Sequence, residues 1–284
     1  MSGSSKPRVA LIAGPTASGK SALALEMAVR ERGTIINADA SQVYRDLRIL
    51  TARPSPEDEA RVPHRLYGHR DAADPCSAAE WAAEARTAIA DCVREGRLPI
   101  LVGGTGLYLR TLLDGIAPVP PVDPVIRAEV RAIPAGAAHA MLAQVDPAAA
   151  ARLHPNDTTR VHRALEVVRS TGRGILAWRE AREGGIAERI EGEWTMLDPP
   201  VAELYARCDA RVGAMIAAGV LGEVEALLAR ELDPGLPVMR AIGVAPFARV
   251  LSGELGASEA MAAVRQATRN YAKRQRTWFR HQHP

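Results

Sequence analysis

The segment from residue 14 to residue 21 restricts the fold of this chain more than any other feature of the sequence. It reads Gly14-Pro15-Thr16-Ala17-Ser18-Gly19-Lys20-Ser21 and matches the phosphate-binding loop pattern G-x-x-x-x-G-K-[ST]. An apolar run, 9–13, precedes it and a helix-forming segment, 22–30, follows. Glycines let backbone N–H groups approach a phosphate, Lys20 adds a full positive charge, and the Ser21 hydroxyl can reach a metal ion. The sequence therefore predicts a polyphosphate site, without specifying what the phosphates are attached to.

Composition favours a globular protein without a membrane segment. The 284 residues are 47% hydrophobic and 24% charged. No run approaches the roughly 18 apolar residues that a membrane helix needs. The apolar run near the N-terminus is short and ends in the phosphate loop, so we expect no signal peptide. Three cysteines without paired or metal-ligand spacing predict thiols in a reducing cytoplasm: Cys76, Cys92 and Cys208.

Strands and helices alternate in the first part of the chain. The hydrophobic patterns predict strands at 8–13, 34–37 and 99–102, with a helix at 81–94 between the last two. This alternation is typical of parallel strands joined by crossover helices. The first part of the chain is therefore predicted to be an α/β fold, with a parallel sheet flanked by helices.

A proline-rich segment, 117–124, marks a change of organisation. The residues after it are alanine-rich and carry short helical patterns to about residue 190, where a strand candidate at 194–197 returns the chain to the sheet. We therefore predict a phosphate-loop catalytic core, 1–116 and 191–284, and a helical insertion, 117–190. Further helices are predicted at 160–171, 201–217, 222–230, 238–251 and 258–279.

Two further strand ends carry chemically informative residues. Asp39 follows the second predicted strand, and the carboxyl ends of parallel strands meet at the edge where ligands bind. From the residues alone its carboxylate fits a turn, a metal ligand in an ATPase, or a general base. The third strand ends in Gly103-Gly104-Thr105, without the acid that an ATPase would use to hold magnesium. Asp198 follows the later strand, but two prolines after it are more typical of a structural stop.

A basic helix is predicted at the C-terminus. From residue 260 to 284 there are six lysines or arginines and no acid, and tyrosine, tryptophan and phenylalanine lie among them. Five cations recur at helical spacing, which places them on one face: Arg265, Arg269, Lys273, Arg276 and Arg280. Such a stripe suits a nucleic-acid phosphate backbone, although a solvated helix face has the same pattern.

Taken together, these motifs resemble the tRNA dimethylallyltransferases (isopentenyl transferases) of the bacterial type, over essentially the whole chain. The matching segments are GPTASGKS at 14–21, INADASQVY at 36–44, TARP at 51–54, VPH at 62–64, VGGTGLYLRTLL at 102–113, LHPND at 153–157, RVHRALEVVRSTG at 160–172, RAIG at 240–243 and TRNYAKRQRTWFR at 268–280. The resemblance implies a P-loop NTPase-like core whose loop holds dimethylallyl diphosphate and not ATP.

The implied reaction transfers the dimethylallyl group to N6 of adenosine 37, beside the anticodon, in tRNAs that read codons beginning with U. Diphosphate leaves with the help of Mg2+, for which Ser21 is the expected ligand. Asp39 corresponds to the catalytic carboxylate of the family. Thr105 corresponds to a threonine at the channel between nucleotide and donor, and Arg211 to an arginine near the diphosphate, where Lys20 also acts.

The resemblance also implies an RNA surface, with the insertion clamping the anticodon loop from the side opposite the C-terminal helix. A monomer is expected. The implied contacts with the tRNA are Asp39, Ala40, Ser41, Gln42, Thr105, Arg127, Thr159, Arg160, Val161, His162, Arg163, Arg240, Lys273, Arg274, Arg276, Trp278 and Arg280. Three alternatives stay open at this point: an enzyme that prenylates free adenine nucleotides, a P-loop kinase that uses ATP, and a non-catalytic RNA-binding protein that retains the loop.

Overall fold

Five parallel strands form the sheet that carries the phosphate loop in this computed structural model, which describes residues 6–282. Across the sheet the strand order is β3-β2-β4-β1-β5, and all four pairings are parallel. The strands are β1 (Arg8–Ala13), β2 (Gly33–Asn37), β3 (His64–Arg65), β4 (Leu98–Gly103) and β5 (Glu191–Met196). The predicted parallel α/β sheet is confirmed, although the two-residue β3 carries no pattern long enough to be foreseen.

The register aligns three strand ends. Ala13, the last residue of β1, pairs with Gly103 of β4 and with Met196 of β5. The segments that follow these three strands therefore all leave the sheet at the carboxyl ends of the strands. β1 and β2 are almost wholly buried, as expected for strands covered on both faces. β5 is an edge strand whose first half is exposed.

Helices connect and flank the strands. They are α1 (Lys20–Arg30), α2 (Pro56–Arg61), α3 (Ala78–Arg94), α4 (Gly106–Asp114), α5 (Pro124–Ala132), α6 (Ala135–Val145), α7 (Pro147–Ala150), α8 (Thr158–Thr171), α9 (Ile175–Arg179), α10 (Val201–Ala217), α11 (Val220–Leu228), α12 (Val244–Leu251) and α13 (Ala257–His281). No helix among residues 6–282 is long and apolar enough to cross a membrane.

A capped and buried helix fixes the end of β2. Ser77 and Glu80 form a reciprocal capping box at the start of α3. The next residue, Trp81, is fully buried and donates its indole N–H to the carbonyl of Asn37 at 2.8 Å. It also stacks on Tyr108 at a centroid distance of 4.6 Å. The strand end that leads to residue 39 is thus held from the side of α3.

The contacts of the chain divide it into two units. One contains the residues up to Leu113 together with those from Ile186 onward, and the other is 114–185. The second unit consists of α5 to α9 around its own apolar core, which includes Val130, Leu142 and Leu165. Its two ends meet, because Ile116 and Glu183 exchange backbone hydrogen bonds at 3.0 Å.

The predicted helix at 238–251 is wrong as one element. Residues Val238–Arg240 form a short 3-10 turn, and α12 begins only at Val244. Gly243 between them has φ of +108°, a left-handed conformation that interrupts a right-handed helix. The hydrophobic period continues across the break, so periodicity alone does not locate it.

Candidate active site

The phosphate loop joins β1 to α1 and has the local geometry that its glycines permit. Gly14 has φ of +148°, and a Cβ there would lie 2.4 Å from the carbonyl oxygen of Leu197. Gly19, at φ of +97°, precedes the first residue of α1. Lys20 donates from Nζ to the carbonyl of Pro15 at 2.6 Å, so its ammonium lies over the loop itself.

A cavity of about 680 Å³ opens beside this loop, and it is lined entirely by residues of the first unit. The loop contributes residues 16–21 to its wall, and the segment after β2 contributes residues 39–42. The remaining wall includes Tyr67, Arg207, Arg211, Arg240, Tyr271 and Arg274. The cavity therefore brings the predicted phosphate loop, the predicted carboxylate and part of the basic helix to one place.

Two partly buried cations lie at the loop side of the cavity. Arg211 donates from Nη1 to the Thr16 hydroxyl and from Nη2 to the Thr51 carbonyl, each at 2.8 Å. Burial lowers the pKa of Lys20 to about 8, and the nearby positive charge of Arg211 acts in the same direction. Burial also lowers the pKa of Arg211. Two desolvated cations side by side favour an anionic ligand, because an anion restores the interactions that burial removes.

The carboxylate of Asp39 is held in a fixed orientation. Asn37 accepts the Asp39 N–H at 2.8 Å and donates to the carbonyl oxygens of Asp39 and Leu66. One carboxylate oxygen, Oδ1, accepts hydrogen bonds from the N–H and the hydroxyl of Ser41, at 3.0 and 2.7 Å. Oδ2 has no hydrogen-bond partner among residues 6–282, so one oxygen of this cavity-lining side chain is free to accept a proton.

Thr105 links the end of β4 to the same turn. Its Oγ1 accepts the Ala40 N–H at 3.0 Å, and its own N–H donates to the Ala38 carbonyl at 3.2 Å. Its hydroxyl also lies near the side chain of Tyr271 on α13, a tyrosine whose pKa is raised by burial. Thr105 thus ties the end of β4 to the Asp39 turn and lies beside the C-terminal helix.

Gln275 is a site residue that the sequence analysis missed. This buried side chain of α13 accepts the Thr16 N–H at 2.8 Å through Oε1 and donates from Nε2 to the Gly104 carbonyl at 2.9 Å. A Cβ on Gly104 would lie 2.1 Å from Nε2, which explains the glycine. The only sequence indication of its role was weak: in the segment RNYAKRQRTWFR, Gln275 falls on the helix face opposite the cations, which is the face expected to pack against the protein.

The predicted basic stripe of α13 is partly neutralised within the protein. Arg276 and Arg280 both form ion pairs with Asp198, and Arg269 pairs with Asp209. Lys273 and Arg274 are exposed, and the Arg274 guanidinium lies 5.7 Å from the Tyr271 ring. Trp278 packs against Gly106, where a Cβ would lie 2.1 Å from the indole, and contacts Phe279 edge to face.

The other predicted RNA contacts belong to the unit 114–185. Thr159, Arg160 and Arg163 are exposed at the start of α8. His162 contacts the Ile133 carbonyl at 3.0 Å through Nε2. Val161 is fully buried in the core of this unit, so its side chain presents no surface to RNA. Arg127, on α5, is half-buried.

The loop fits a magnesium ion that is shared with a phosphate ligand. Residues 6–282 contain no group of three or more His, Cys, Asp or Glu side chains that could hold a metal. Mg2+ instead commonly binds few protein groups together with phosphate oxygens and water. The exposed Ser21 lines the cavity, and the buried Ser18 Oγ has no hydrogen-bond partner, so the loop retains unused oxygen ligands.

Comparison with known proteins gives one consistent family. The model of the family described as IPP transferase matches residues 42–282. A tRNA dimethylallyltransferase of Sphingopyxis alaskensis is 62% identical over 277 residues, which cover 97% of this chain and 90% of the relative. One from Erythrobacter litoralis is 55% identical over 284 residues, with 98% and 90% covered.

Two solved structures are similar along nearly the whole chain. The full-length tRNA isopentenylpyrophosphate transferase of Bacillus halodurans has a TM-score of 0.68 at 32% identity, covering 98% of this chain and 88% of that one. A eukaryotic dimethylallyltransferase acting on tRNA has a TM-score of 0.83 at 28% identity, with 96% and 70% covered. The predicted P-loop NTPase-like fold is confirmed.

Proposed function

The chain belongs to the IPP transferase family, and from that membership we propose that it is a tRNA dimethylallyltransferase. It transfers the dimethylallyl group of dimethylallyl diphosphate to N6 of adenosine 37, beside the anticodon of tRNAs that read codons beginning with U. The observation that carries this proposal is that one cavity joins the phosphate loop, two partly buried cations and the Asp39 carboxylate. Such a cavity suits a reaction in which diphosphate leaves and an amine loses a proton.

The loop side of the cavity binds the diphosphate. Lys20, Arg211 and the N–H groups of the loop meet the negative charge that grows on diphosphate as the allylic C–O bond breaks. Ser21 would hold Mg2+ together with the phosphates, and the ion would supply further neutralisation of that charge. Since the cations are desolvated, each interaction with the leaving group is stronger than it would be in water.

Asp39 acts as the general base. The adenine N6 amine is a weak nucleophile because its lone pair is delocalised into the ring. As the N6–C bond forms and the C–O bond to diphosphate breaks, one amine proton passes to Oδ2, the oxygen that has no hydrogen bond in the described part of the chain. Thr105 holds the Ala40 amide and so keeps the carboxylate turn in place.

The RNA binds as a flipped-out nucleotide with its backbone on basic side chains. Lys273 and Arg274 are exposed cations for this purpose, and the cavity wall adds Arg240. The insertion, 117–190, clamps the anticodon loop. We expect the enzyme to act as a monomer, and a tRNA substrate is consistent with a cytoplasmic enzyme.

The decisive experiment offers the protein an unmodified anticodon stem-loop with dimethylallyl diphosphate and Mg2+. We expect mass spectrometry to show one dimethylallyl group on the adenosine beside the anticodon, with release of diphosphate. AMP in place of the stem-loop and ATP in place of the donor are run in parallel. Transfer to AMP alone would establish a free-nucleotide enzyme, and ATP turnover without prenyl transfer would establish a kinase.

Reversing two exposed charges tests the RNA surface. In the variant Lys273→Glu with Arg274→Glu, we expect weaker stem-loop binding and a salt dependence of log K that is shallower by about 1 for each phosphate that α13 no longer neutralises. Fluorescence anisotropy between 50 and 200 mM salt would measure both. The control variant, Arg30→Glu with Arg94→Glu, also reverses two exposed charges. These residues precede β2 and β4, so they lie at the amino-terminal ends of the strands, away from the phosphate loop. Equal binding by both variants would show that α13 is only a solvated face.

The lowered pKa of Lys20 predicts a pH dependence. The charged form of Lys20 binds diphosphate, and it is lost as pH rises through about 8. We therefore expect kcat/KM for the donor to fall above pH 8 by about tenfold for each pH unit, because kcat/KM reports ionisations of the free enzyme. In Lys20→Met this falling limb should disappear. A limb that persists in the variant would assign the ionisation to another group.

A further inference from the structure

A buried carboxylate collects three arginines in the unit 114–185. Glu166 lies on α8 with only 5% of its side chain exposed. Arg131 of α5 donates from Nε to Oε1 at 3.2 Å. Arg163 Nη1 lies 3.7 Å from Oε2, and Arg127 Nε lies 4.0 Å from the same oxygen. Arginines from two helices, α5 and α8, therefore surround a single carboxylate.

The cluster carries an excess of positive charge at the surface. Three guanidinium groups and one carboxylate give a formal charge of +2, and the arginine side chains are 43%, 61% and 44% exposed for residues 127, 131 and 163. Each guanidinium has five donors in a planar fork. Only Arg131 donates a hydrogen bond to the carboxylate, whereas Arg127 and Arg163 lie at ion-pair distance from it. The remaining Nη donors have no partner among residues 6–282. The cluster therefore offers fixed, unsatisfied donors to an anion.

We propose that Glu166 is a positioning residue, which orients Arg127, Arg131 and Arg163 as one binding surface for the phosphate backbone of the RNA substrate. The proposal rests on the proposed tRNA transferase function, since that function supplies the polyanion. Orientation matters because a phosphate is best bound by two parallel N–H donors, and a long arginine side chain otherwise loses entropy on binding. Resemblance pointed to Arg127 and Arg163 as RNA contacts, whereas Glu166 and Arg131 were not foreseen.

Substitution Glu166→Gln separates positioning from simple electrostatics, because the two predict opposite signs. Removing the acid raises the cluster from +2 to +3, so unpositioned charges alone would bind RNA more tightly. Positioning predicts binding that is roughly tenfold weaker, as expected when one charge-assisted hydrogen bond is removed. The probe is the unmodified anticodon stem-loop, titrated by fluorescence anisotropy between 50 and 200 mM salt.

The matched control is Glu129→Gln. Glu129 is exposed on α5, the helix that carries two of the arginines, and has no ion pair with them. This variant makes the same change of charge without releasing an arginine, so we expect equal or slightly tighter binding. Equal or tighter binding by Glu166→Gln as well would overturn the proposal. Transfer by the wild-type protein would still stand, because it is measured separately.

A second variant excludes a merely structural role. Arg131→Gln truncates a mostly exposed side chain and should weaken stem-loop binding while the far-UV circular dichroism stays unchanged. The double variant with Glu166→Gln should lose less affinity than the sum of the two single losses, because Arg131 is one of the three arginines that Glu166 orients. Additive losses would assign Glu166 to folding alone, and wild-type binding by Arg131→Gln would remove the proposed surface.

Discussion

Asp39→Ala should lower the rate of prenyl transfer by about 10²–10⁴-fold, the contribution expected of a positioned general base. The affinity for the anticodon stem-loop should stay close to that of the wild type, because the basic side chains proposed to bind the RNA backbone are unchanged. Single-turnover transfer with saturating donor would measure the chemical step, and anisotropy would measure RNA affinity.

The alanine variant also removes the two hydrogen bonds from Ser41, so a collapsed turn could imitate a lost base. Asp39→Asn is the matched control, since its carbonyl oxygen can still accept from Ser41 while the side chain can no longer take a proton. We expect nearly the same loss of rate in both variants. A normal rate in the asparagine variant would remove the base assignment and leave Asp39 as a turn residue.

Lys20→Met should lower kcat/KM for the donor by about 10²–10³-fold, as for removal of one donor to a developing anion. Methionine keeps much of the length and volume of the side chain, so the loss would report the charge. Stem-loop affinity should not change, which separates the donor site from the RNA surface.

Arg207→Met provides the comparison for Lys20. Arg207 also lines the cavity, but it is half-exposed, pairs with Glu203 and reaches only the Ser18 carbonyl at 3.4 Å. Its removal should cost much less donor affinity than removal of Lys20. Equal losses would mean that the diphosphate lies farther toward α10 than proposed.

The sequence predicted those parts of the site that are contiguous in the chain. A strand, eight loop residues and a helix start form one local unit, so the motif at 14–21 was sufficient to locate it. Asp39 reaches the same cavity because β2 and β1 both flank β4 in a parallel sheet, and their ends share an edge. These inferences need only strand direction and proximity.

Contacts between distant segments were beyond sequence reasoning. The cations at 276 and 280 fit an RNA-binding stripe, yet the structure pairs them with Asp198, which arrives from the end of β5. Gln275 and Thr16 are separated by 259 positions, and no local pattern relates them. Pairings of this kind depend on the position and rotation of α13 against the rest of the protein. The hydrophobic periodicity of the helix does not specify either.

The carboxamide of Gln275 has a mechanical consequence for the two substrates. The side chain follows directly after the exposed Lys273 and Arg274 on one rigid helix, while its head group is fastened to the backbone at Thr16 and Gly104. Any tilt or slide of α13 would therefore displace the phosphate loop, where we propose that the donor binds. If RNA bound to α13 changes the affinity for diphosphate through this link, then bound diphosphate must change the affinity for RNA by the same factor.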